Sequence, residues 1–212
     1  MKIEEFKSEE LKEQIRTMLD KMPSDEIAEE ELEKITALQI RYKYANGAPT
    51  DVSLDEIIKL NNIETLAIGG TEFTDSDYET LKSMKKLSKV QFFDFTFQSN
   101  AKTKRKLAEK VKSLRIINSR NVEALDYSEI EDLGMMGCTV DFSKLNLGKV
   151  KRLVLASCKI TNMTDLLELA DLEFVLLDGS TITDVNGKKM RNIERKPNVD
   201  YSFEEDAKVL ER

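Results

Sequence analysis

The chain has 212 residues, enough for one large domain or two small ones, and 40% of them are hydrophobic, which suffices for a buried core. Charged residues make up 34%, and the net charge of −7 argues against nonspecific binding to nucleic acid or to an anionic membrane. No apolar run approaches the length of a membrane span, and the first residues lack the pattern of a signal peptide. We therefore expect a cytoplasmic protein, with a leaderless route of secretion left open.

Histidine is absent, and cysteine occurs only at Cys138 and Cys158. Without histidine, the Ser-His-Asp and Cys-His catalytic arrangements and every histidine-ligated metal site are excluded. Two thiols are too few for a cysteine-rich zinc site or a disulfide scaffold. The composition thus favours a protein that is not an enzyme and that binds no cofactor or metal ion.

Two helices are predicted at the start of the chain. Residues 2–20 carry apolar side chains at helical spacing between charged ones, as in an amphipathic helix. Pro23 breaks this pattern, and a shorter helix follows with Ser24 or Asp25 as its N-cap. We expect residues 1–34 to form a helical cap on whatever follows.

From residue 35 onward, one pattern of apolar residues recurs. It is clearest in residues 150–160 (VKRLVLASCKI) and 172–182 (LEFVLLDGSTI). Counted from the first residue of each copy, apolar residues occupy positions 0, 3, 5 and 10, and a small polar or thiol residue occupies position 8. Copies begin at residues 35, 63, 87, 111, 130, 150 and 172, with a degenerate one near 196. The fourth copy is one residue longer, which we interpret as a bulge.

This pattern resembles the leucine-rich repeat, L-x-x-L-x-L-x-x-(N/C)-x-L, whose copies span about 20–29 residues. The resemblance implies an α/β solenoid, with a curved parallel β-sheet on the concave face and helices and loops on the convex face. We expect a single structural domain, with repeats over residues 35–184 and a capping strand and helix over 185–212. Between the copies, the pattern predicts helices capped by Ser53 and by Asp75 or Ser76, and a basic helix over residues 100–110.

The segment before the repeats has features of its own, namely Ile15-Arg16, Leu19, Pro23-Ser24, Ile27, Leu32 and the strand start Ile35-Thr36-x-Leu38-x-Ile40. Together they resemble the helical N-terminal cap of internalin-like leucine-rich-repeat proteins of Gram-positive bacteria. The chain departs from that family at position 8. The family usually has asparagine there, whereas this chain has Thr71, Phe95, Ser119, Cys138, Cys158 and Ser180. The resemblance therefore implies the fold and a mode of binding, and no particular receptor.

Three groups of residues have a chemical interpretation and a structural one. The two cysteines are candidate nucleophiles, but position 8 favours buried thiols stacked in adjacent coils, close enough for a disulfide. The basic run over residues 102–112 is a candidate nucleic-acid patch, but the lack of interleaved aromatic residues favours a solvated helix face. Asp75, Asp77 and Glu79 are candidate calcium ligands, but helix capping explains them without a metal.

The concave face is the most informative surface. Side chains alternate along a strand, so positions 3 and 5 point into the core and positions 2, 4 and 6 point outward. The outward rows are apolar in their middle, and contiguous exposed apolar surface is typical of an interaction site. The candidate apolar residues are Phe93, Ile117, Met136, Val154, Phe174 and Leu176. The candidate polar and charged residues are Arg41, Lys89, Gln91, Arg115, Arg152 and Asp178.

This surface predicts a protein partner of unknown identity. A second copy of the chain is the alternative partner, and an effector with a cysteine-dependent activity is less favoured. A shift of one residue in the strand register would turn every one of these side chains to the opposite face.

Overall fold

The computed structural model describes residues 2–40, 52–70, 72–98, 104–162, 169–183 and 200–203. Its central feature is an eight-stranded sheet in which every pair of neighbouring strands is parallel and each strand lies beside its predecessor in the chain. The strands are β1 Ala37–Ile40, β2 Thr65–Gly69, β3 Lys89–Phe93, β4 Ser113–Ile117, β5 Asp132–Met136, β6 Arg152–Ala156, β7 Phe174–Asp178 and β8 Asp200–Phe203. A parallel sheet that follows chain order is the arrangement expected of a solenoid.

The register of the sheet aligns equal positions of successive repeats. Leu66 of β2 pairs with Leu38 of β1 on one side and with Val90 of β3 on the other, and all three occupy position 3. The same alignment continues to β7, where Val175 pairs with Leu153 of β6. The strands therefore present one set of positions to the core along the whole sheet.

Positions 3 and 5 form that core. Each of these side chains is at most 3% exposed, and they are Leu38, Ile40, Leu66, Ile68, Val90, Phe92, Leu114, Ile116, Leu133, Met135, Leu153, Leu155, Val175 and Leu177. Burial of one such side chain contributes about 1.5–3 kcal/mol, so stacking the repeats is the main stabilising interaction of the fold.

A left-handed residue ends each strand from β3 to β7. It stands at position 7 and is Asp94, Asn118, Gly137, Ser157 or Gly179, with φ between 49° and 63°. Glycine, asparagine and aspartate tolerate this conformation better than other residues do. The turn bends the chain away from the sheet and directs position 8 into the interior, where Phe95, Ser119, Cys138, Cys158 and Ser180 are all buried.

The position-8 side chains replace the asparagines of the typical repeat. Ser119 Oγ accepts a hydrogen bond from the backbone N–H of Phe95 at 3.2 Å, and Ser180 Oγ accepts one from Cys158 at 3.0 Å. The thiols of Cys138 and Cys158 donate to backbone oxygens, to Met136 at 3.3 Å and to Ala156 at 3.3 Å, as the hydroxyl of Ser180 does to Asp178. These residues thus satisfy the backbone where it leaves the sheet.

The convex side contains more strand than the sequence predicts. Thr139–Asp141, Lys159–Thr161 and Thr181–Thr183 form a second parallel sheet, and Glu72–Phe73 pairs with Thr96–Phe97. The same side also contains short 3-10 helices at Val122–Ala124 and Phe142–Lys144. Two or three residues per coil are too few to show a period-2 pattern in the sequence.

The basic helix predicted for residues 100–110 is wrong in its described part. Arg105–Lys106 is a strand that pairs with Leu125–Asp126 of the next coil. The guanidinium of Arg105 also forms an ion pair with Asp75 at 2.5 Å. Tertiary pairing therefore overrides the helix propensity of this lysine-rich segment. The extra residue of the fourth repeat lies outside the sheet, because β4 pairs with both neighbours without interruption and the left-handed Asn121 follows it.

The N-terminal segment is less helical than predicted. It contains a 3-10 helix at Ile3–Glu5 and the helix α1 at Glu9–Met18, with a break at residues 6–8. The break arises because the carboxylate of Glu56 accepts the backbone N–H groups of Lys7 at 2.6 Å and Ser8 at 2.7 Å. Ser8 then caps α1 by accepting the N–H of Leu11.

The described residues contain three further helices, and the caps of these helices differ in part from those predicted. Helix α2 is Glu29–Leu32 and begins after Ala28, because Asp25 instead accepts the N–H of Met22 in a turn. Helix α3, Leu54–Ile57, follows Ser53 as predicted. Helix α4, Asp75–Ser83, is capped by Thr74. The hydroxyl of Thr74 accepts the backbone N–H of Asp77, and the carboxylate of Asp77 accepts the backbone N–H of Thr74.

Residues 2–34 pack into the same core as the repeats, with Ile3, Phe6, Leu11 and Ile15 fully buried. Most of the segment predicted as the C-terminal cap lies outside the described residues. Within the described ranges, no helix is long and apolar enough to cross a membrane.

Candidate protein-binding face

Three rows of side chains cross the concave face, one for each outward position of the strands. Row 2 is Ala37, Thr65, Lys89, Ser113, Asp132, Arg152 and Phe174. Row 4 is Gln39, Ala67, Gln91, Arg115, Gly134, Val154 and Leu176. Row 6 is Gly69, Phe93, Ile117, Met136, Ala156 and Asp178. Neighbours within a row stand on adjacent strands, about 4.8 Å apart.

The middle of row 6 is apolar and reaches solvent. Phe93 pairs with Ile117, and Ile117 pairs with Met136, so the three side chains stand side by side. Phe93 and Ile117 are half-buried, and Met136 is 48% exposed. We name Phe93, Ile117 and Met136 the apolar row.

A second apolar group lies toward the C-terminal end of the sheet. Val154 and Leu176 are direct partners in row 4, and Phe174 stands beside Arg152 in row 2. All three apolar side chains are half-buried. Ala156, on the same strand as Val154 and paired with Met136, joins this group to the apolar row.

Arg115 is held flat against the sheet by Asp132. Its Nη2 donates to both carboxylate oxygens of Asp132, at 2.8 and 3.0 Å, and its Nη1 donates to the backbone oxygens of Leu114 and Asp132. Asp132 also accepts a hydrogen bond from Ser113 Oγ at 3.2 Å. Because both side chains of the ion pair are only about one third exposed, 35% and 33%, this contact is less screened than an open surface pair.

Gly134 makes room for the side chain of Arg115. A Cβ atom at residue 134 would lie 2.5 Å from Cδ of Arg115 and 2.8 Å from its Nε. The bare backbone of Gly134 therefore allows the arginine to cross β5 and reach Asp132.

Arg152 takes a different position from Arg115. Its guanidinium carbon lies 4.0 Å from the centre of the Phe174 ring, which is a cation–π contact. Its Nε is 3.9 Å from Oδ1 of Asp132, longer than a hydrogen bond, and its side chain is 51% exposed. Arg152 is thus oriented by a ring while its guanidinium stays accessible.

The remaining candidates lie around these groups. Lys89 is exposed on β3, Gln91 is half-buried beside Arg115, and Asp178 is half-buried at the end of β7. Arg41 lies outside the described residues. The structure therefore places eleven of the twelve candidates on one face, while their role in binding stays a prediction.

Two residues that shape this face were not among the candidates. Asp132 joins the two arginines, and Gly134 accommodates one of them. The alignment of repeats already places Asp132 between Ser113 and Arg152, so the cross-strand charge pair was predictable from the register. The role of Gly134 was not, since it depends on the path of the Arg115 side chain.

The two cysteines have the surroundings of structural thiols. Both are buried and free, and Cys158 Sγ lies 3.3 Å from the backbone oxygen of Ala156 and 3.5 Å from that of Met135. Burial raises the pKa of Cys138 and raises that of Cys158 to about 11. A thiol that stays protonated at neutral pH is a poor nucleophile.

The acidic cluster at α4 is engaged in structural contacts. Asp77 completes the cap of α4, and Asp75 pairs with Arg105. Across the described ranges, no group of three or more histidine, cysteine or acidic residues is arranged to hold a metal ion.

The sheet, the left-handed turns and the buried position-8 residues define a leucine-rich-repeat solenoid. No protein-family model and no curated protein matches the chain. Solved structures of Listeria monocytogenes internalins do resemble it. One is an internalin (InlF), with a TM-score of 0.55 and 22% identity, over 86% of this chain and 53% of that one.

Two further structures from the same bacterium agree. Internalin C2 has a TM-score of 0.55 and 18% identity, over 97% of this chain and 87% of that one. InlP has a TM-score of 0.56 and 15% identity, over 98% of this chain and 61% of that one. This chain therefore has an internalin-like leucine-rich-repeat fold and spans about half the length of InlF.

Proposed function

We propose that this chain is a non-catalytic interaction module that binds a protein partner through its concave face. The observation that supports the proposal is the apolar row, whose most exposed member, Met136, is 48% exposed on a sheet face. Exposed apolar surface surrounded by charged residues is typical of a protein interface. The internalin-like fold supports the coarser part of the proposal, because solenoids of this kind offer an extended concave surface to partners.

The chemistry of the described residues agrees with a binding role. The two thiols are buried, and burial raises their pKa values, so neither resembles an activated nucleophile. An interaction module needs no such group, since a rigid sheet with a complementary surface is sufficient.

The test is affinity capture from the native host with three matched baits. The baits are the wild-type chain, Met136→Asp and the control Met22→Asp, which makes the same change at a side chain that is 66% exposed and off the sheet. We expect one protein to be retained by the wild type and by Met22→Asp and to be lost with Met136→Asp. Equal retention by all three baits would contradict the proposal.

Self-association is the competing outcome of the same experiment. Light scattering of the purified chain at increasing concentration separates the two outcomes. A monomer at every concentration excludes a second copy as the partner. A dimer that Met136→Asp dissociates and Met22→Asp leaves intact would instead assign the face to self-association.

A further inference from the structure

We infer that the partner presents a carboxylate next to an apolar side chain, and that Arg152 is the residue that selects it. This inference rests on the proposed function, because it names the chemistry of the partner bound at the same face. Three observations support it: the free donors of Arg152, the local excess of positive charge, and the apolar side chains within reach.

Arg152 is held in place by a contact that leaves its N–H groups available to a partner. Its guanidinium carbon lies 4.0 Å from the centre of the Phe174 ring, and this cation–π contact uses none of the guanidinium N–H groups in a conventional hydrogen bond. Within the described part of the chain, these N–H groups make no hydrogen bond, and the approach to Asp132 at 3.9 Å is too long for one. A planar fork of free donors fits a carboxylate, which can accept two parallel bonds.

Asp132 compensates for the charge of Arg152 only in part, because its hydrogen bonds go to Arg115. Both oxygens of Asp132 accept from Nη2 of Arg115, at 2.8 and 3.0 Å. Lys89 stands in the same row, and among the described residues it has no carboxylate partner. In rows 2 and 4 from β1 to β7, the three cations Lys89, Arg115 and Arg152 outnumber the one anion, Asp132. The other acidic residues of the face stand further along it, Asp178 in row 6 and Asp200 beside Phe174 in row 2.

The apolar requirement follows from the position of Val154 and Leu176. Val154 lies on the same strand as Arg152, two residues further along. Leu176 is the direct neighbour of Val154 on β7. Two residues along a strand span about 7 Å, the distance between side chains two positions apart in an extended peptide. A partner segment with an acidic residue two positions from an apolar one therefore matches both groups at once.

The test is selection from a random peptide library displayed on phage, against immobilised wild-type chain, Arg152→Glu and Arg120→Glu. Arg120 is exposed and lies outside the three rows, so it controls for the change in net charge. On the wild type and on Arg120→Glu, we expect enrichment of peptides that pair Asp or Glu with an apolar residue. On Arg152→Glu, we expect lysine or arginine in place of the acidic residue.

The affinities of one selected peptide, and of a variant peptide with Gln or Asn in place of its acidic residue, are then measured for the wild type and for Arg152→Gln. The variant peptide is called the twin. We expect the twin to bind the wild type about threefold to tenfold more weakly, and to bind Arg152→Gln as well as its parent does. Circular dichroism confirms that each variant is folded.

The outcomes separate this inference from the proposed function. Enrichment without an acidic preference, or with the same preference on Arg152→Glu, overturns the inference while concave-face binding stands. Enrichment that Met136→Asp and Val154→Asp both leave unchanged overturns the proposed function as well. Enrichment of no peptide above the bare support overturns the inference.

Discussion

Arg115 and Gly134 share one space on the concave face. The aliphatic part of the arginine lies where a Cβ of residue 134 would stand, 2.5 Å from Cδ, and the guanidinium beyond it bonds Asp132. An internal ion pair of the face therefore depends on a residue that has no side chain.

The first prediction concerns the coupling of these two residues. In the wild type, Gly134→Ala displaces Arg115 from Asp132 and destabilises the fold by about 1 kcal/mol. With Arg115→Ala already present, the same change removes only the flexibility of glycine in a strand and stabilises by about 0.5 kcal/mol. Urea denaturation of the four proteins of this double-mutant cycle measures both values. An equal effect of Gly134→Ala in the two backgrounds would refute the coupling.

The second prediction concerns the carboxylate that holds the N-terminal segment. Burial alone would raise the pKa of Glu56, but hydrogen bonds from the backbone of Lys7 and Ser8 and from Lys59 outweigh it, so that the pKa lies below the ordinary value. A lowered pKa in the folded state means that this stabilisation is present above the unfolded pKa, about 4.3. It is lost as the pH falls through the folded value.

We therefore expect Glu56→Gln to destabilise the chain by about 2 kcal/mol at pH 7. The difference from the wild type should shrink below pH of about 4, where the wild-type carboxyl gains its proton. Chemical denaturation across this pH range measures the difference, with the exposed Glu79→Gln as the control. A difference in stability that stays constant with pH would show that the ionised carboxylate of Glu56 does not hold the N-terminal segment in place.

The third prediction concerns the position-8 residues. Because Cys158 is buried and its pKa is raised to about 11, a thiol-specific reagent should label the native chain at pH 8 far more slowly than the urea-unfolded chain. Cys158→Ser should be tolerated better than Cys158→Ala, since the hydroxyls of Ser119 and Ser180 donate to the equivalent backbone oxygens of their coils. The alanine variant removes the thiol contacts with the backbone oxygens of Met135 and Ala156 and leaves a small void, at a cost of about 1–3 kcal/mol.

Labelling kinetics and urea denaturation provide the two measurements. Rapid labelling of Cys158 in the folded chain would reopen the hypothesis of a reactive cysteine. An alanine variant more stable than the serine variant would contradict the hydrogen-bonding role of position 8.

The fourth prediction concerns the left-handed turns at position 7. Gly179 has φ of +52°, and its surroundings leave space for a methyl group, so Gly179→Ala adds only backbone strain. We expect a loss of about 1 kcal/mol in stability. The matched control is Gly148→Ala, where the new Cβ would meet only Asn146 Oδ1, at 3.8 Å, and the backbone is not left-handed. Thermal unfolding compares the two, and equal effects would show that the turn imposes no strain.

Much of this architecture was predictable from the sequence. The repeat frame predicts the leucine-rich-repeat fold, because buried apolar residues at positions 3 and 5 recur at the period of about 20–29 residues that is typical of stacked repeats. The left-handed turns also have a recognisable pattern in the sequence. Position 7 of the third to seventh repeats contains Asp94, Asn118, Gly137, Ser157 and Gly179. All five are residue types common in turns.

Other features of the fold depend on contacts between residues that are far apart in the sequence, which a local sequence pattern does not reveal. Residues 2–20 read as one helix, but Glu56, almost fifty residues away, breaks it by binding the backbone at Lys7 and Ser8. The lysine-rich segment around Arg105 became a strand for a similar reason, through pairing with Leu125–Asp126. On the concave face, the register was predictable, whereas the path of Arg115 over Gly134 required the side-chain geometry.

The most direct test of the central claim is a titration of the captured partner into wild-type, Met136→Asp and Met22→Asp chains by calorimetry. Burying a charge in an apolar interface is costly, so we expect Met136→Asp to weaken binding at least about tenfold. Met22→Asp, off the sheet, should bind as the wild type does. Equal affinity of all three chains would contradict binding through the concave face.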